Sequence, residues 1–251
     1  MYARLIEKLH LDAEPVGIYF GNETIRCDVD ASPGKRNCVM PFLLASARGR
    51  SVSMNEDSCN CAGGATGCCF GDGFARLNPR IDVMLAQGFG DEAKAGMPEI
   101  MVEGERFFDC AETTRRWRES LPISDRAYPR IVFCPMSMWE SSGRPDLVLV
   151  FARQNQLSAL VTMLGFRSGR AVNVIAPFCA ACQSIMFASA EAESESPRAV
   201  MGLFDISQRK KQFEDYLSLT MTYDMFAQMA QDVETSCLTT SAWKSIEDRQ
   251  E

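Results

Sequence analysis

"PDLVLVFARQNQLSALVTMLGFRSGR", residues 145–170, carries the pattern that sets the fold class. Asp146–Phe151 is a short apolar run of strand length. Gln154–Phe166 then places Leu157, Leu160, Val161 and Leu164 on one face, which is helical spacing. After "RSGR", the run Ala171–Pro177 reads as a second strand. Strand, helix and strand in that order predict an α/β protein.

The same order stands earlier in the chain. Pro15–Phe20 reads as a strand. Cys38–Arg48 reads as a helix, with Met40, Leu43, Leu44 and Ala47 on one side and Pro41 in the tolerated first turn. Gly49 ends it, and "RSVSM" follows as a strand. Shifted by 120 residues, Met40 falls on Leu160, Leu44 on Leu164, Gly49–Arg50 on Gly169–Arg170, Val52 on Val172 and Cys59 on Cys179. We therefore expect one domain over residues 1–251 with a mixed sheet built from two related strand–helix–strand units, about 15–75 and 145–190. The plainer alternative is that any two such units look alike, since glycine commonly follows a helix. If the duplication holds, both second strands end at one sheet edge, where open α/β sheets bind ligands, and Cys59 and Cys61 face Cys179 and Cys182.

Other segments are read as follows. Tyr2–His10 is a short helix, and Gly21–Asn37 a turn-rich loop. Residues 80–98 hold broken helical turns, and Glu99–Phe108 a strand and turn. Asp109 caps a helix through Leu121. Arg130–Met136 and Leu217–Thr222 are strands, and Asp224 starts a helix to about Glu234. The charged tail after Ser241 is expected to fray.

Composition narrows the function. A chain of 251 residues can bury a core without covalent staples, so its 11 cysteines are not needed to hold it together. No secretory leader and no long apolar span is visible, so the expected setting is cytoplasmic, with thiols reduced. The net charge of −7 argues against nucleic acid, and "RKK" at 209–211 is too short to count.

The cysteines concentrate in "SCNCAGGATGCCFGDG", Ser58–Gly73, and in "FCAACQ", Phe178–Gln183. Read as glycine-rich loops, these stretches offer thiolates and bare backbone, which suits an iron–sulfur cluster. The candidate ligands are Cys38, Cys59, Cys61, Cys68, Cys69, Cys179 and Cys182, enough for one or two [4Fe-4S] clusters. Cys38, at a helix start, is expected to have a depressed pKa. Adjacent Cys68 and Cys69 should point apart. The expected work is electron transfer, or accessory work for a partner oxidoreductase. Catalysis by the chain itself and homo-oligomerisation stay open. The alternatives are a zinc site of Cys59, Cys61, Cys179 and Cys182, a metal-free thiol-redox or small-molecule-binding protein, and cysteines that are simply buried apolar residues.

Lesser candidates have plainer readings. Cys110, Cys134 and Cys237 are structural, and Cys27 fits either role. "GFGDEA" at Gly88–Ala93 is a turn rather than a nucleotide loop. His10 is a surface or capping residue. Glu56 and Asp57 form a solvated turn, with acid–base work as the minority alternative. Arg50 and Arg170 face an anionic group or stabilise helix ends.

The sequence also resembles the DUF169 family, a group of uncharacterised cysteine-rich proteins. The matching stretches are "EPVGIYF" (Glu14–Phe20), the helix from Cys38 to "ASARGR", "NEDSCNCAGG" (Asn55–Gly64), "PDLVLVFARQNQ" (Pro145–Gln156) and "CAACQSI" (Cys179–Ile185). The resemblance implies an α/β fold and a cysteine-centred site, with no reaction attached. It also implies shared cysteines at Cys38, Cys61 and Cys182, beside which Cys59, Cys68, Cys69 and Cys179 are additions that would bind more metal or hold it more firmly.

Overall fold

A computed structural model describes residues 2–21, 24–34, 37–77, 80–124, 128–207, 209 and 215–248. Among them, eight strands form one mixed sheet: β1 (Val16–Phe20), β2 (Val29–Asp30), β3 (Val52–Asn55), β4 (Arg130–Pro135), β5 (Leu147–Ala152), β6 (Val174–Ile175), β7 (Ala199–Gly202) and β8 (Leu217–Thr222). The order across the sheet is β2-β3-β4-β1-β5-β8-β7-β6. The helices are α1 (Ala3–Leu9), α2 (Val39–Ala47), α3 (Ala62–Gly67), α4 (Gly73–Leu77), α5 (Ile81–Leu85), α6 (Glu99–Glu103), α7 (Ala111–Glu119), α8 (Trp139–Ser142), α9 (Gln154–Gly165), α10 (Ala181–Ala192), α11 (Tyr223–Asp232) and α12 (Ser241–Glu247). The chain is thus mixed α/β.

The sheet order reads as a palindrome about the β1/β5 seam. Those two strands pair antiparallel, with Gly17 opposite Val148. Outward from each lies an antiparallel neighbour, β4 or β8, then β3 or β7, and last a parallel edge strand, β2 or β6. Parallel neighbours need a crossover. α2 supplies it between β2 and β3, and α10 between β6 and β7.

This arrangement does not reproduce the 120-residue alignment. That register pairs α2 with α9 and β3 with β6. Yet α2 packs with α10 against Ile18, Leu147 and Leu149, whereas α9 packs with α1, α11 and α12 against Val148, Val150 and Leu219. Alternate residues of a strand face opposite sides, so α2 and α9 lie on opposite faces. β3 is also interior, while β6 is an edge. Matching apolar spacing marked two helices without specifying which face each covers.

β5 is buried along its whole length, which its unbroken "LVLVFA" run requires of a strand covered on both faces. Other segments depart from expectation for local reasons. Glu99–Glu103 is helical, because Pro98 precedes it, Glu99 sits in its first turn and Gly104, at φ 74°, stops it. The tail forms α12. The Thr240 hydroxyl accepts the Trp243 N–H, and the buried Trp243 indole donates to the Lys8 carbonyl at 3.0 Å. Residues 249–251 lie outside the described residues, as do positions 210 and 211 of "RKK". The turn-rich segment before α2 contains β2, held to β3 through Asp28 and Ser51.

Candidate thiol-lined cleft

The stretch read as a cysteine loop is largely helix. After Asn55 and Ser58 cap one another reciprocally, Ala62–Gly67 forms α3. Its glycines serve close packing. A Cβ at Gly67 would collide with the Cys182 carbonyl and lie 2.8 Å from the Gln183 nitrogen, and one at Gly64 would lie 2.8 Å from Val39 Cγ2. α3 is therefore wedged, backbone against neighbours, between the starts of α2 and α10.

That wedge brings three thiols to one cleft of about 310 Å³. Cys38 is the residue just before α2, Cys61 the residue just before α3, and Cys182 the second residue of α10. Each stands at a helix start, where unpaired N–H groups favour negative charge. The Cys61 sulfur accepts the Gly64 N–H at 3.4 Å. The start of α10 is fixed by Gln183, whose side chain accepts the Ala180 N–H at 2.8 Å.

The thiols differ in charge preference. The neighbouring Cys38 thiol lowers the Cys61 pKa; burial opposes this, and the Gly64 N–H adds to the lowering. The Cys38 thiol is raised, first by its interaction with Cys61 and then by burial. The expectation of a depressed pKa at Cys38 is thus corrected: the lowering falls on its neighbour Cys61. Burial pushes Cys182 well above its ordinary value.

The other four candidate cysteines stand off the cleft wall. Cys59 and Cys68 are buried in the core beneath it, with the Cys59 thiol toward the Cys61 carbonyl. Cys69, in a left-handed conformation at φ 60°, turns into a separate cluster with Leu121 and Met186. Cys179 is buried and directs its thiol to the Met201 carbonyl. Cys59 and Cys179 therefore do not line the cleft with Cys61 and Cys182. Among the described residues, no group of three or more Cys, His, Asp or Glu is placed to hold a single ion.

Opposite the thiols the cleft is aromatic and apolar. Phe107 packs on Phe178 at 5.1 Å between ring centres, Phe178 on Trp117 at 5.9 Å, and Trp117 on Phe74 at 5.7 Å. Met84 and Leu85 complete the wall, tied to residues 105–107 by backbone hydrogen bonds. The sequence reading missed this wall, because its residues come from five separated segments. It also missed Asp205, an acid inside the apolar run "LFDI". Asp205 lines the cleft, and its Oδ1 is buried with no hydrogen-bond partner among the described residues. Burial pushes its pKa up to about 7, Glu105 adds to the rise, and Arg209 opposes it.

The remaining candidates lie elsewhere. Arg170 donates to the carbonyls of Ser196 and Pro197, and neither it nor Arg50 lines the cleft. Gly88–Ala93 is a turn following α5, with a short 3-10 segment at Gly90–Glu92. His10 ends α1 in a left-handed conformation and faces Glu247. Among the described residues, no helix is long and apolar enough to cross a membrane.

Fold and cleft together define a mixed α/β protein with a thiol-lined cleft at converging helix starts. Residues 4–232 match the family model DUF169, described as uncharacterised ArCR, COG2043, and the chain belongs to that family. No curated protein and no solved structure matches it.

Proposed function

We propose that the cleft holds an iron–sulfur cluster of the [4Fe-4S] type, with Cys38, Cys61 and Cys182 as its thiolate ligands, and that the protein works in electron transfer or as an accessory to an oxidoreductase. The observation that carries this reading is the delivery of three thiols, each from a helix start, into one cleft. Three thiolates crowded at one place repel each other, and helix N-termini offset part of that cost. A multi-iron cluster keeps its ligands farther apart than a single ion does, so this reading is compatible with the lack of a single-ion site. When bound, the cluster would supply one-electron chemistry. The chain's own part would be to hold it, to screen it from water with the Phe107–Phe178–Trp117 wall, and to offer the Gly64 N–H to the Cys61 sulfur.

One observation favours a second reading. The Cys38 and Cys61 thiols line one cleft and each shifts the other's titration, a pairing that suits a dithiol closing to a disulfide and giving two electrons and two protons to an acceptor.

Anaerobic purification, the visible spectrum, and iron and sulfide analysis test both. We expect a brown protein with iron and sulfide in equal amounts, and loss of both in Cys61→Ala and in Cys182→Ala while Cys179→Ala keeps them. A colourless, iron-free chain would sink the cluster reading. A mapped Cys38–Cys61 disulfide in such a chain would establish the second.

A further inference from the structure

Three thiols leave a four-iron cluster one corner short, and two carboxylates, Glu105 and Asp205, line the same cleft; of these, Asp205 has a buried oxygen without a partner among the described residues. After β7 the chain turns through Leu203, a buried non-glycine residue in the left-handed region at φ 70°, and the Phe204 N–H bonds the Cys179 carbonyl at 3.0 Å. Such a conformation is unfavourable for a residue with a side chain and is retained where surroundings impose it. The turn delivers Asp205 into the cleft shared by Cys38, Cys61 and Cys182. There Oδ1 is buried and unpartnered among the described residues. The nearby guanidinium of Arg209 donates to the carbonyls of Leu203 and Tyr216. A buried carboxylate oxygen without a donor is costly unless a cation meets it.

Resting on the cluster reading, we propose that Asp205 is the fourth ligand, so that the site is three cysteines and one aspartate, and that the iron it holds is the exchangeable one. Carboxylate is a harder ligand than thiolate and suits the soft iron–sulfide core less well. On treatment with ferricyanide, Asp205 gives up its iron as Fe²⁺. The [4Fe-4S]²⁺ core becomes [3Fe-4S]⁺, the oxidant takes the one electron, and the three thiolates keep the remainder.

The test uses the full chain, purified without oxygen, as wild type, Asp205→Asn and Asp205→Cys, each checked for folding by circular dichroism. Iron is counted per cluster, and paramagnetic resonance follows the three-iron signal during ferricyanide treatment. Wild type should fall from about four irons to three and recover with Fe²⁺ and reductant. Asp205→Asn should purify largely in the three-iron form, and Asp205→Cys should convert at least tenfold more slowly than wild type. An iron-loaded wild type whose two variants convert at its own rate would overturn the assignment of Asp205 while leaving the cluster reading intact. An iron-free wild type would overturn both.

Discussion

The two faces of the sheet are built on different terms. On one, α1, α9, α11 and α12 cover Val148, Val150, Leu219 and Met221 with bulky side chains such as Leu160, Met163, Phe226 and Trp243. The helices stand off the sheet by the width of those side chains, and area burial stabilises them. On the other, α3 meets α10 almost backbone to backbone at Gly67, and Cys59, Cys68 and Cys182 take places that larger apolar residues hold across the sheet. The first face tolerates loss of bulk at the expense of stability alone. The second has its geometry set by what is missing from its side chains, and the same closeness brings the helix starts, with their thiols, to one cleft.

Truncation on each face breaks the comparison most directly. Leu160→Ala, in the fully buried centre of the bulky face, should cost about 2–5 kcal/mol by denaturant unfolding, with iron bound per folded chain unchanged. Gly67→Ala adds one methyl and should cost about 1–3 kcal/mol, yet abolish iron binding by separating Cys61 from Cys182. Equal iron loss in both variants would show that the faces do not differ in this way.

A smaller effect concerns Asp205 in the metal-free chain. Its folded pKa, pushed up to about 7, lies above the ordinary carboxylate value it has when unfolded. The folded state therefore binds the proton more tightly. The stabilisation is complete below about pH 4 and is lost as pH rises toward and through 7. The melting temperature should fall by several degrees between pH 5 and pH 8, since about 1 kcal/mol moves the midpoint of a chain this size by roughly 2–4 °C. Asp205→Asn should flatten that slope; an unchanged slope would place the dependence on another group.

The smallest effect lies within the cleft. Cys38 is the first cause of the lowered pKa at Cys61. In metal-free Cys38→Ala, that neighbour is gone, the Cys61 pKa rises, and less thiolate remains at pH 7. Alkylation of Cys61, followed by peptide mass spectrometry, should slow by roughly three- to tenfold. Unchanged labelling would mean that the Gly64 N–H alone sets its reactivity.

The same contrast explains what was legible in the sequence. The strands "PVGIYF", "RIVFCP" and "DLVLVF" and the helices over α2, α9 and α11 announce themselves through apolar period. Each owes its conformation to side-chain burial, which leaves a pattern. α3 does not, because "AGGATG" has no apolar stripe and its helix follows from wedging between neighbours. β2 and β6, at two residues each, are too short for any period. In the site, cysteine enrichment pointed to the right region, and the family resemblance singled out Cys38, Cys61 and Cys182, the three that line the cleft. Spacing alone could not separate them from Cys59, Cys68, Cys69 and Cys179, since the difference is the direction each thiol takes from nearly adjacent backbone. Asp205 depends on a left-handed turn at Leu203 that no residue type announces.

The palindromic sheet order has a consequence for how the molecule meets its neighbours. Each end closes with a two-residue strand paired parallel to the one inside it. A strand that short presents few open backbone groups for another chain to continue the ladder. Both margins are thus poor templates for edge-to-edge growth. Extension of the ladder by a second chain is disfavoured at either margin, and the sheet ends where this chain's own strands end.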